Sequence, residues 1–407
     1  MTSRERVLCA LSHRQPDRVP LDMGGTSVSS IAPSTYHRLK QRLGISSPTR
    51  VFDVYQMVAE VERPVMERLG ADVVTLRRTY PFVELGTRGD RWKSWELPDG
   101  TPIDVPESFN PVVDANGDWV VLKDGCPIAR LPKDGFYFDL LEDSPTLDKS
   151  PGAIHLDLAQ FHPHLLTEEE QTDFQARADA LYQNTAFAVA LPFEPPRQLF
   201  RGMGTGGFEN WMVTLALDPD YVHALMDRMA TAWLENIRRL YQAVSHRVQI
   251  FMTFDDLGTQ RALFISVKMF RALIMPYYKR AFDWIHQHTP WKVLFHSDGA
   301  IYPLIPSLLE MGVDALNPIQ VSAAGMDPAR LKREFGGRLA FWGAACDSQH
   351  TLPFGTPADV ARETEANVRL LAPGGGYVCA AVHNIQAGVP PENVVALFET
   401  ARRITIP

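Results

Sequence analysis

The sequence predicts a (β/α)8 TIM barrel with a β-rich insertion. Three observations carry this. Short apolar runs alternate with longer segments of helical spacing over most of the 407 residues. Eight such runs lie near residues 20, 74, 188, 251, 294, 316, 341 and 379, the number that closes a parallel barrel. Between about residues 80 and 150 the texture changes to frequent turns with short β-prone pieces. A doubly wound sheet would want a glycine-rich nucleotide turn after its first strand, and Met23-Gly-Gly-Thr-Ser27 does not match that fingerprint.

The elements follow in order. Arg4 to Leu11 has amphipathic spacing and is closed by Pro16. Arg18 to Gly25 reads as the first strand, ending in a glycine turn. Val54 to Leu69 reads as a helix kinked at Pro64 and stopped by Gly70. Ala71 to Leu76 is the second strand. Pro98-Asp-Gly100, Asn116-Gly117 and Lys123-Asp-Gly125 are hairpin turns, with β-prone stretches such as Trp119 to Leu122 between them. Some 70 residues of broken apolar runs make a weak core of their own. The region is therefore read as an insertion in one barrel domain spanning 1–407. Thr167 and the glutamates after it open a helix running to about Gln183. Ala186 to Leu191 is a strand, Asp218 to Leu240 a helix with Pro219 in its first turn, Val248 to Phe254 a strand, and Ser266 to His288 helical. Strands then recur at Lys292 to Phe295, Asp314 to Pro318, Leu339 to Trp342 and Tyr377 to Val382.

Composition narrows the function. The net charge is −8, and no basic run reaches the length of a nucleic-acid footprint. No stretch reaches the roughly 18 apolar residues of a membrane span, and the N-terminus has no signal-peptide pattern. A cytoplasmic protein is the expectation. Cys9, Cys126, Cys346 and Cys379 lie far apart without a Cys-x-x-Cys pair. Each is read first as a small buried hydrophobe.

The strand ends hold the chemistry. In a parallel barrel the C-terminal rim is the reactive face. Val293-Leu-Phe-His296-Ser-Asp298 and Tyr377-Val-Cys-Ala-Ala-Val-His383-Asn384 are apolar runs that end abruptly in histidine. His296 and Asp298, spaced i, i+2, share one strand face. With His383 they make a His/Asp/His metal set that suits zinc and leaves a fourth position open. Cys346, after a neighbouring strand, is a soft alternative ligand. Asp255, Asp256 and His383 are acid–base candidates. Adjacent aspartates point to opposite sides of a strand, so one of the two enters the site. Arg77 and Arg78 end a strand and can clamp an anionic group; with Asn317 and Asn384 they are read as substrate-binding. Arg197 and the glycine-rich Arg201 to Gly207 read as a flexible loop. The plain alternative for the whole set is a rim that is polar because it meets water.

The chain resembles the uroporphyrinogen decarboxylase superfamily, which also contains cobalamin-dependent methyltransferases. The resemblance rests on Arg4 to Leu8 with Gln15-Pro-Asp-Arg-Val-Pro20, on Phe254-Asp-Asp-Leu-Gly258, on Phe295-His-Ser-Asp-Gly299, and on Gly312 to Gln320 with Met326-Asp-Pro328. It continues through Gly374-Gly-Gly-Tyr377, His383-Asn384 and Val389-Pro-Pro-Glu-Asn393. It implies a (β/α)8 barrel and, for a partner, a second copy of the chain. The decarboxylase branch implies cofactor-free chemistry on a carboxylated tetrapyrrole, with an arginine-rich first strand end and an aspartate after the second strand. Here those places read Leu21 to Thr26, without arginine, and Leu76-Arg77-Arg78. His383 matches a histidine of that branch. The methyltransferase branch implies zinc held by His-x-Cys and a distant Cys. Here His296 keeps its place, Asp298 takes the first Cys position and His383 the second. The expectation is a methyltransferase acting on a small methylated substrate, a methoxy compound or a methylamine. Zinc would assist, and a corrinoid protein or tetrahydrofolate would accept the methyl group. The Asp-x-His-x-x-Gly signature of corrinoid-binding domains does not occur, so the corrinoid is expected on a partner. Two other classes stand beside this reading: a lyase acting on a carboxylated small molecule, and a non-catalytic ligand-binding barrel.

Overall fold

The computed structural model describes residues 1–26, 28–77, 91–141, 155–195 and 207–406. Its centre is a parallel sheet of seven strands: β1 (Val73–Thr75), β2 (Ala188–Pro192), β3 (Ile250–Phe254), β4 (Lys292–His296), β5 (Ala315–Asn317), β6 (Ala340–Ala344) and β7 (Tyr377–Ala380). Each pairs with the next in sequence, as a barrel built from β/α units requires.

The expected first strand is reduced to one rung at Leu21, which bridges in parallel to Cys379. That rung closes the barrel. Asp22 N–H donates to the Cys379 carbonyl (2.9 Å), Cys379 N–H to Pro20 (2.9 Å) and Asp72 N–H to Leu21 (2.7 Å). The Asp72 carboxylate, fully buried, accepts the Leu21 N–H (2.9 Å). It also pairs with Arg6 and Arg18, each at 2.7 Å. A side chain thus replaces a strand hydrogen bond at the seam.

Alternation along the strands sorts the core into two layers. Val73, Ala188, Ala190, Ile250, Met252, Leu294, Ala315, Ala340, Trp342, Val378 and Ala380 fill the barrel, joined by Val7 and Leu11 of helix Ser3–Leu11. Val189, Phe251, Val293, Phe295, Leu316, Phe341 and Cys379 face the helices. His296 and Asn317 lie two residues beyond Leu294 and Ala315, so they continue the inward row onto the rim.

The insertion follows its turn chemistry. Trp92–Glu96 pairs with Pro102–Pro106, and Val112–Val113, Trp119–Lys123, Cys126–Leu131 and Asp139–Leu140 form a four-stranded sheet. Gly100, Gly117 and Gly125 sit in the turns with positive φ. Trp95 and Trp119 meet edge to face at 6.0 Å and pack with Phe109, Val51 and Met57, so these tryptophans are core.

Some expectations need correction. Val54 to Val61 is not helical. Val51–Asp53 and Val58–Ala59 form a hairpin, and the helix is Arg63–Leu69, with Pro64 in its first turn where the missing N–H costs nothing. The segment Ser266 to His288 is two helices, Val267–Leu273 and Met275–His288, broken before Pro276. A further helix, Pro33–Leu43, went unread. Cys9, Cys346 and Cys379 are buried as expected, but Cys126 is exposed on an insertion strand. Among the described residues no helix is long and apolar enough to cross a membrane.

Candidate functional site

β4 delivers His296 to the rim, β3 runs into Asp255 and Asp256, and β7 leads to His383. The β4–β5 register places His296 opposite Asn317. His296 Nδ1 and Asn317 Oδ1 are 2.6 Å apart. The Asn317 amide nitrogen donates to the Trp342 carbonyl (3.3 Å), which turns its oxygen toward the ring. Nδ1 therefore carries the proton, and Nε2 points into the rim. This is how a metal-ligating histidine is usually oriented.

Asp298 Oδ2 stands 3.6 Å from His296 Nε2 and 3.6 Å from His383 Nε2. The ligand atoms of all three residues fall within 4.8 Å of one another. A tetrahedral zinc site with bonds near 2.0–2.1 Å has ligand–ligand edges of about 3.4 Å. The donor set, its spacing and the anchored Nδ1 fit a divalent ion of that kind. Asp256 Oδ1 lies 3.8 Å from His296 Nε2 and accepts the Asp298 N–H at 2.9 Å. Gly299 N–H donates to Gln320 Oε1 (2.7 Å), so both amides of the turn are held.

The electrostatics divide the two histidines. For His296, burial opposes the charged ring, but the Asp298 and Asp256 carboxylates outweigh it and raise the group to about 9. Burial also works against the Asp298 carboxylate, yet His383 and His296 hold it down to about 2. His383 is lowered, because burial and the neighbouring His296 outweigh Asp298. A neutral ring with a free nitrogen is the ligating form of histidine.

Gly299 is required by close approach. Its φ is +95°, and a Cβ there would stand 2.4 Å from the Gly258 carbonyl oxygen and 2.7 Å from that of Thr259. Gly299→Ala is expected to push the Asp298 turn out of place, lowering zinc content and destabilising the fold by about 1–3 kcal/mol. Gly44→Ala, with φ +71° and nothing within 4 Å, is the control for backbone strain without a clash. Equal loss of zinc in both variants would count against this role. Asn317→Leu, which removes the acceptor on Nδ1, is expected to weaken zinc affinity about 10–100-fold in chelator competition.

The other predicted residues are placed differently. Asp255 is buried and turned away from Asp256, accepting the Tyr278 hydroxyl at 3.1 Å from helix Met275–His288. Asn317 bonds to His296 and the Trp342 carbonyl, which makes it a positioning residue. Asn384 accepts the Ser30 N–H (2.9 Å) and donates to Gln56 (3.2 Å), tying the loop after β7 to two other segments. Cys346 lies outside the three-residue cluster. It belongs to the outer layer facing the helices, where burial and the Glu363 and Cys379 groups push its thiol up. Arg77 stacks over the Phe52 ring (3.6 Å) and pairs with Glu60 (3.4 Å). Arg78, Arg197 and Arg201 lie outside the described residues.

Beside the cluster opens a cleft of about 330 Å³, floored by Asp298, Gly299, Val382 and His383 and rimmed by Gln260, Gln320, Ser348 and Gln349. These rim residues sit in loops without strand or helix period, which hides them from a reading by pattern.

Comparison with known proteins gives four findings. The chain is similar to uroporphyrinogen decarboxylase of Edwardsiella ictaluri, 22% identical over 220 residues, covering 53% of this chain and 58% of that protein. It is similar to the chloroplastic uroporphyrinogen decarboxylase of Nicotiana tabacum, 25% identical over 217 residues, covering 53% of this chain and 51% of that protein. The chain thus spans about half the length of the curated relatives it matches. Among solved structures it is similar in fold to a methyltransferase from Methanosarcina mazei, with TM-score 0.58 and 15% identity over 98% of both chains. The family model described as uroporphyrinogen decarboxylase (URO-D) matches residues 182–404, more than half of the sequence and the part that carries β2 to β7 and the cluster. The chain belongs to the uroporphyrinogen decarboxylase (URO-D) family.

Proposed function

We propose that this protein is a metal-assisted methyltransferase. It takes a methyl group from a small methylated substrate, a methoxy compound or a methylamine, and passes it to a corrinoid protein or to tetrahydrofolate. The observation that carries the reading is the His296–Asp298–His383 cluster with His296 Nδ1 anchored on Asn317. Those three residues would hold zinc, which supplies Lewis-acid polarisation of the leaving oxygen or nitrogen. The methyl group leaves without the electrons of its bond, and the heteroatom keeps the pair and takes a proton. That proton comes from solvent, and Asp256, beside the cluster and partly exposed, is the group of this chain positioned to relay it.

The test is metal content. Elemental analysis of protein purified without added metal should find about one zinc per chain, lost in His296→Ala and His383→Ala. No zinc in the wild type, even after incubation with it, sinks the assignment.

A second reading, a lyase acting on a carboxylated substrate, is favoured by Arg77. It lies two residues beyond β1, and its buried Nε has no partner among the described residues. That reading requires activity without metal and substrate binding that fails in Arg77→Met.

A further inference from the structure

The cleft beside the cluster limits the charge of what it accepts. Among the described residues its lining contains no lysine, no arginine and no Phe, Tyr or Trp ring. The ionisable side chains are Asp298 and His383, with Asp256 immediately behind Asp298. Away from the metal ligands, a carboxylated ligand would find no lysine or arginine in the described lining to receive it. A quaternary ammonium would find no Phe, Tyr or Trp face in the described lining to rest on.

What the rim offers instead is unassigned hydrogen-bonding capacity. Gln320 Oε1 is taken by the Gly299 N–H, so its amide nitrogen is left as a donor. The side chains of Gln260, Ser348 and Gln349 have no partner among the described residues. Thr259 shows the contrast. Its hydroxyl accepts the Arg261 and Ala262 N–H groups and donates to the Ala262 carbonyl, so the loop itself uses it. Amides and a hydroxyl both donate and accept, which is also what a hydroxyl-bearing ligand does. Charge balance agrees: a divalent ion beside Asp298 and Asp256 would leave the floor near neutral, with no need of an anionic ligand.

We propose that this cleft binds an uncharged, hydroxyl-rich methoxy compound and turns its ether oxygen toward His296, Asp298 and His383. The orientation rests on the metal-site reading; the neutrality rests on the lining alone.

The test is calorimetric titration of the zinc-incubated full chain with a matched pair, methyl β-D-glucopyranoside and methyl β-D-glucuronide, and with choline. These probes share a size range and differ in charge. Zinc content is measured on the same samples. The glucoside is expected to bind at least about tenfold tighter than either charged probe. Gln320→Glu keeps the acceptor for the Gly299 N–H and replaces the free amide by a carboxylate oxygen. It should weaken the glucoside by about fivefold or more at unchanged zinc content. Tighter binding of glucuronide or choline, or no binding of any probe, overturns the proposal. Glucoside preference in protein that takes up no zinc overturns the metal reading and leaves the neutral cleft standing. Glucuronide preference at full zinc content does the reverse.

Discussion

Replacing His296 by alanine is expected to reduce bound zinc from about one per chain to background while the barrel stays folded. The ring is buried and holds one of three converging ligand atoms, so two ligands remain and the anchored geometry is lost. The Asn317 oxygen loses its partner, a cost of about 1–3 kcal/mol. Circular dichroism and size-exclusion profiles should match the wild type. Unchanged zinc in this variant would place the metal elsewhere. pH dependence supplies a second readout. Without metal, His296 is raised to about 9, Asp298 is held to about 2 and His383 is lowered. At neutral pH the ion must therefore displace the His296 proton. Zinc binding should release about one proton per ion below pH 9, and apparent affinity should rise about tenfold per pH unit before levelling above that value. The same shift acts on metal-free stability. A histidine raised from 6.5 to about 9 stabilises the fold fully below about pH 6.5, and that contribution is lost as pH rises through 9.

Asp72→Ala is expected to destabilise the protein by about 3–5 kcal/mol, read as a lower midpoint in urea. The fully buried carboxylate faces two arginines, and its removal leaves Arg6 with Asp17 alone and Arg18 without a carboxylate partner among the described residues. It also frees the Leu21 N–H, one of the few bonds that close the barrel. Asp72→Asn keeps an acceptor for that N–H and should lose less. A loss below about 1 kcal/mol in the alanine variant would show that the seam tolerates the charge, in contrast to most broken buried pairs.

These two residues also show what the sequence could reveal. His296 was legible because an apolar run stops at a histidine, and the i, i+2 spacing put Asp298 beside it. Asn317 stood at the end of a readable strand, but its bond to His296 depends on the β4–β5 register, which no local pattern fixes. Asp72 looked like an ordinary residue between Ala71 and Val73. Its role arises from a first strand too short to close the barrel alone, and Met23-Gly-Gly shows only that the chain turns there. Cys346 was misread because the rim begins just after β6, where the side chain can face either layer. The hairpin before Arg63 was hidden by Pro64, since the same residue that kinks a helix interior also starts one. Helix Pro33–Leu43 was readable: it opens on Pro33 and ends at Gly44 in the left-handed region.

The distribution of the four cysteines has a practical consequence. Thiolate is the species that alkylating reagents attack. Burial pushes Cys379 up to about 12 and raises Cys346 as well, and Cys9 packs its sulfur 3.5 Å from the Arg14 carbonyl. Cys126 alone is exposed. A maleimide dye added to the native protein should therefore attach at a single point on the insertion and leave the barrel unlabelled. Without deleting a cysteine, the chain provides its own optical marker for how the insertion sits when a ligand reaches the rim.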